Sequence, residues 1–120
     1  MILIPVKKNE GIVSIKISIN GTITWDYNYY EDQSYHNDSI LNNRKEHVLG
    51  LPHDLKTIKH KWNFIVVNPS SNKIKVDIEI VWEQIQNNTP FVISKWNINK
   101  FEIPANEPRD FSDEGYIVKS

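Results

Sequence analysis

The chain contains no cysteine. Disulfides, thiolate catalysis, cysteine-bound zinc and iron–sulfur clusters are therefore excluded, and a reducing, cytoplasmic setting is expected. Glycine is scarce, with four residues scattered over 120 positions, so no glycine-rich loop is present to cradle a phosphate. No Gly-x-Ser-x-Gly elbow occurs, nor a serine with an ordered histidine and aspartate. No apolar run approaches the roughly 20 residues that span a bilayer as a helix. Residues 1–8 lack the basic start, the long apolar stretch and the cleavage site of a secretion signal. Positive charge is not in excess: 14 Lys and Arg face 15 Asp and Glu. Lys56, Lys59 and Lys61 form the densest basic group, and Asp54 lies beside them. A nucleic-acid partner is not expected from such a balance.

What is present is alternation. Val13, Ile15, Ile17 and Ile19 precede Asn20-Gly21, and Ile23, Trp25, Tyr27 and Tyr29 follow it. Apolar residues at every second position mark half-buried strands, and Asn-Gly between two such runs predicts a hairpin. A three-residue loop, Ile19-Asn20-Gly21, would pair Ile17 with Ile23 and Ile15 with Trp25, and so give one apolar face. A second hairpin is predicted from Trp62, Phe64 and Val66 through 68–72 to Ile74, Val76, Ile78, Ile80 and Trp82. Residues 46–55 alternate around Gly50 and Pro52 and read as an edge strand or bulged turn. In the run 91–103 the apolar phase shifts twice, which two β-bulges or a bend between sheets would explain. The intervals 31–45 and 104–115 carry no sustained period and read as loops, with a short last strand at Tyr116-Ile117-Val118.

The expected fold is one all-β domain over residues 1–120, an antiparallel β-sandwich of six to eight short strands without a substantial helix. This layout is similar to immunoglobulin-like, jelly-roll and carbohydrate-binding sandwiches, which share architecture without sharing function. The Cys–Trp–Cys pattern of true immunoglobulin domains is missing.

Three chemistries compete for the functional reading. His47, His53 and His60 form the one group of possible metal ligands, near Glu46 and Asp54, but their spacing matches no compact ligand motif. Acidic residues cluster as Asp26, Glu31 and Asp32, and again as Asp110, Asp113 and Glu114. Neither cluster has the glycine-bearing pattern of a calcium loop, and no metal or cofactor is assigned. The aromatic group says more. Trp25, Tyr27, Tyr29, Tyr30 and Tyr35 crowd into eleven residues among polar neighbours. Tyrosine and tryptophan offer rigid contact area with a polar handle. Trp25 and Tyr27 keep the inward parity, whereas Tyr30 and Tyr35 break it.

Tyr30, Tyr35, His36, Asn37 and Asp38 are therefore the expected binding residues, and Trp96, at a phase break, is expected to point outward. The leading expectation is a non-enzymatic domain that binds a protein partner through loops or an edge strand, as an inhibitor-like or antitoxin-like protein or an assembly subunit. The alternatives are a carbohydrate-binding module using exposed rings, and a metal-dependent enzyme using the three histidines.

Overall fold

The computed structural model describes residues 2–21, 23–31, 34–40, 44–55 and 59–120, with positions 34, 35 and 38–40 described as backbone only. The described residues form an all-β sandwich of nine strands: β1 (Ile2–Val6), β2 (Val13–Asn20), β3 (Thr24–Glu31), β4 (Ser34–Ile40), β5 (Arg44–Gly50), β6 (Lys59–Val67), β7 (Ile74–Gln86), β8 (Thr89–Ile103) and β9 (Pro108–Lys119). One turn of 3-10 helix at Pro52–Asp54 follows β5. The first sheet has the order β1-β9-β6-β3-β4 and the second β5-β2-β7-β8. All neighbours are antiparallel except β1 and β9.

The alternating runs are strands with the expected inward faces, but they pair differently. β2 lies in one sheet and β3 in the other, so Asn20-Gly21 begins an arch between sheets and no hairpin forms there. Ile17 pairs with Ile80 and Ile15 with Trp82. The second expected hairpin is also an arch, from β6 in the first sheet to β7 in the second. The reason is common to both. Two apolar faces can be matched side by side in one sheet or face to face across a sandwich, and the latter buries both from water.

Asn68 fixes the β6–β7 arch. Its side chain is fully buried. Its Nδ2 donates to the carbonyls of Asn72 at 2.7 Å, Ile103 at 3.1 Å and Pro104 at 3.2 Å. Its Oδ1 accepts from the Ser70 backbone N–H at 2.9 Å and hydroxyl at 2.8 Å. One amide thus ties the arch to the end of β8. Gln84 plays the same part at the opposite end, holding Lys7 and Gly11 to β7.

Two pairs of consecutive strands lie within a single sheet, β3–β4 and β7–β8, and the second closes on a tight turn. Gln86 pairs with Thr89, and Asn87 and Asn88 both take positive φ, 52° and 60°. This is the two-residue turn that matches strand twist. Along β8 the register slips twice, between Val76/Ile78 and Trp82/Glu83 of its partner, so the two phase shifts read from the sequence are bulges. Each bulge restores the inward parity. The intervals 31–45 and 104–115 are not loops: β4 and the start of β5 fill most of the first and β9 the second. Tyr116-Ile117-Val118 is the end of that 12-residue strand. Residues 46–55 do form an edge strand and turn, with a register shift near Gly50.

Asn68→Ala is expected to leave several buried carbonyls and an N–H unpaired. The cost is about 1–3 kcal/mol, a fall in Tm of roughly 5–15 °C measured by thermal denaturation. A Tm within a degree of the parent would mean that the arch does not depend on this amide.

Candidate functional site: the β3–β4 end of the first sheet

The sequence of β3 builds two different surfaces. Trp25, Tyr27 and Tyr29 turn inward and are buried, whereas Asp26, Asn28 and Tyr30 face outward. β4 pairs along the whole of β3 except Thr24, from Trp25↔Ile40 to Glu31↔Ser34, without a break in register. His36 falls beside Tyr29 and Asn37 beside Asn28.

On the outer face Asn37 is held firmly. Its Nδ2 donates to Asn28 Oδ1 at 2.8 Å and Asp26 Oδ1 at 3.0 Å. The register continues this level across the sheet as Asn37, Asn28, Asn63 and Ser112. Asn63 Nδ2 donates in turn to Asp110 Oδ1 at 3.2 Å. Tyr30 stands beside this row, 40% exposed, over a recess of about 430 Å³ lined by Lys61, Asn63, Ser112 and Glu114 among others. The carboxylate of Glu114 is paired with Lys59 at 3.0 Å, a contact that raises the lysine's pKa.

On the inner side the rings form a chain from the edge into the core. His36 of β4 stacks on His47 of β5, centroids 3.8 Å apart and 13° from parallel. His47 Nδ1 lies 3.1 Å from the Tyr27 hydroxyl. The Tyr29 hydroxyl lies 2.6 Å from His60 Nδ1 and accepts from the Trp82 indole at 3.3 Å. Burial pushes the Tyr29 hydroxyl far above its ordinary pKa, with the indole contact acting the other way. Glu31, at the end of β3, is also raised: burial dominates and the charge of nearby His36 offsets part of it.

The expected site residues separate on this frame. Tyr30 and Asn37 share the outer face of the β3–β4 end and His36 lies on its inner face, in a strand pair where a loop was expected. Tyr35 and Asp38 belong to β4 by backbone position, and their side chains lie outside the described residues. Trp96 does not point outward. The bulge before it turns it inward opposite Ile80, it is 9% exposed, and its indole donates to Asp113 Oδ2 at 3.0 Å. Burial alone would raise the Asp113 carboxyl, but the Glu114 backbone N–H and the Trp96 indole outweigh it, and the net shift is downward.

The three histidines of the metal reading do not converge. His47 and His60 are buried, and the His53 side chain is 76% exposed against Asp54. Among the described residues no three His, Asp or Glu side chains lie close enough to hold a metal, and no helix is long and apolar enough to cross a membrane. The His36–His47 stack went unread in the sequence, because eleven positions of separation carry no local signal that two strands of different sheets will meet.

The Glu31 shift fixes a sign. A carboxyl with a raised folded pKa costs stability once it ionises, so stability falls as pH rises from the ordinary glutamate range through the folded value. Glu31→Gln is therefore expected to raise Tm near pH 7 and to leave it unchanged near pH 3. An equal effect at both pH values would show that ionisation is not the cause. In comparison with known proteins, no protein-family model, no curated protein and no solved structure shows a significant match to this chain.

Proposed function

We propose that this protein is a non-enzymatic recognition domain that binds a protein partner through the β3–β4 end of its five-stranded sheet, in a cytoplasmic setting. The observation that carries the reading is the fixed pairing of Asn37 with Asn28 and Asp26 beside the exposed ring of Tyr30. A surface ordered before contact loses less conformational freedom on binding, and a tyrosine at its centre supplies area and a hydroxyl together. The perturbed titratable groups fit the same reading. Tyr29, Glu31, Asp113 and Lys59 each owe their shift to burial or to a neighbouring structural contact. A catalytic site would instead gather such groups in one cleft.

A carbohydrate ligand is the second reading. It is favoured by the recess in which Tyr30 adjoins Asn63 and Ser112, since a ring for stacking next to amide and hydroxyl groups suits a sugar. Trp96, buried and bonded to Asp113, takes no part in either reading.

The wild-type protein, immobilised as bait in an extract of its native cell, should retain a specific protein. Binding should weaken by about tenfold or more in the Tyr30→Ala, Tyr35→Ala double variant, the loss expected of a hot spot. Undiminished binding of the purified partner by that variant would overturn the site. A thermal shift with a sugar panel, abolished in Tyr30→Ala, would decide for the second reading.

A further inference from the structure

A sandwich of two open sheets exposes four edge strands, and here three of them are blunted. β1 is five residues long, contains Pro5, and has the Leu3 carbonyl engaged by the Ser94 hydroxyl of β8 at 2.9 Å. β5 opens with Arg44, Lys45 and Glu46 and breaks its register before Gly50, which takes φ 121°. β8 carries two register shifts, Lys95, and Lys100 at φ 51° with its N–H held by Asp77 Oδ1 at 2.7 Å. Charges, prolines and bulges of this kind prevent one strand from pairing with another molecule.

β4 has the fewest of these devices. Its seven residues, Ser34–Ile40, include no proline, lysine or arginine, and Asp38, in register with Tyr27, is its one acidic residue. Its pairing with β3 runs unbroken from one end to the other. It is the last strand of its sheet, and among the described residues nothing pairs with its far side. This least guarded edge is also the one that carries His36 and Asn37. A regular strand left open where every other edge is closed offers a row of backbone donors and acceptors about 23 Å long.

We infer that β4 is a strand-addition site, and that the partner of the proposed function contributes an extended segment of about seven residues that becomes the sixth strand of this sheet. The inference rests on that functional reading and supplies its mode. The two faces of β4 set the segment's character. Side chains on its outer face extend the level of Asn37, Asn28, Asn63 and Ser112 and are therefore polar and uncharged. On its inner face the side chains beside the stacked rings of His36 and His47, at the gap between the sheets, are therefore apolar or aromatic, while the register position of Asp38 on the same face accommodates a hydrogen-bonding one. The occupant is thus a segment alternating polar and apolar residues, from another protein.

The probe is a fluorescein-labelled, capped peptide of alternating threonine and valine with a lysine at each end, titrated into the full chain. Anisotropy should saturate, and amide shifts in NMR spectra should fall on residues 34–40 and their β3 partners. Adjacent strand residues direct their N–H groups to opposite sides, so of Asp38→Pro and Ser39→Pro one removes an outward donor and leaves both the β3 ladder and the Asn37 amide bonds in place. That variant should keep the parent Tm and bind the peptide about tenfold more weakly, as main-chain recognition requires. Tyr30→Ala should bind the peptide within about twofold of the parent for the same reason.

Shifts centred on β1, β5 or β8, or no saturation at millimolar peptide, would overturn the inference. So would a concentration-dependent dimer with shifts on 34–40, which would make the occupant a second copy of this chain. The two proposals fail separately. Partner binding lost in the tyrosine variant together with a flat peptide titration would leave the binding end intact and remove strand addition.

Discussion

The two sheets are joined by a wall of aromatic rings, and the rest of the structure is arranged to build it. Trp62 of β6 meets Trp82 of β7 edge to face at 4.9 Å and Trp96 of β8 at 5.9 Å. Phe64 stacks on Trp96 at 6.0 Å, and Tyr29 stacks on Trp62 at 6.2 Å. Burying one such ring contributes about 1.5–3 kcal/mol, and well-placed pairs add roughly 0.5–1.5 kcal/mol. The contacts of Trp62 and Phe64 with Trp82 and Trp96 exist only if β6 and β7, neighbours in sequence, stand in opposite sheets. The arch at Asn68 and the crossing after Asn20 follow from that requirement, and so do the bulges that keep Trp96 and Ile98 facing inward along one long strand.

The same requirement explains what could be read in advance. Period-two alternation specifies which face of a strand is buried, and the apolar inward residues of β2, β3, β6 and β7 were legible, whereas the buried polar ones, His60 and Gln84, were not. It carries no information on which strand lies beside which. Asn-Gly therefore looked like a hairpin, while the tight turn at Asn87-Asn88 was overlooked. β9 was hidden because its inward positions are not uniformly apolar. Asp113 faces inward to accept from the Trp96 indole. Gly115 stands where a Cβ would meet Ile2 and Ile4 at 3.1 Å. β4 was hidden for a related reason: as an edge strand it packs on one neighbour, and its polar residues follow no hydrophobic rhythm. Of the candidate site, the break of parity at Tyr30 was legible. The inward turn of Trp96 was not, because a bulge is set by the pairing partner as much as by the strand itself.

The two ends of the sandwich are consequently unlike. Near β1 and β8 the sheets approach and the Ser94–Leu3 contact joins them. Near β4 and β5 they are bridged by two stacked imidazoles. Behind that bridge the Tyr27 and Tyr29 hydroxyls connect to His47, His60 and Trp82, a polar core that anchors both edge strands. The proposed recognition site and the inferred strand addition both rely on this anchoring, because an edge can template a new strand only if it is itself held in register.

The most direct measurement is native-state hydrogen exchange of the unliganded protein, resolved by residue. The account predicts alternation within residues 34–40: amides bonded to β3 exchange slowly, and those between them exchange at nearly the free rate. Amides of β6 and β7, paired on both sides, should be protected throughout. Uniform protection along β4 would mean that its outer edge is already covered, and uniform fast exchange that it is no strand at all. Either result would contradict the account.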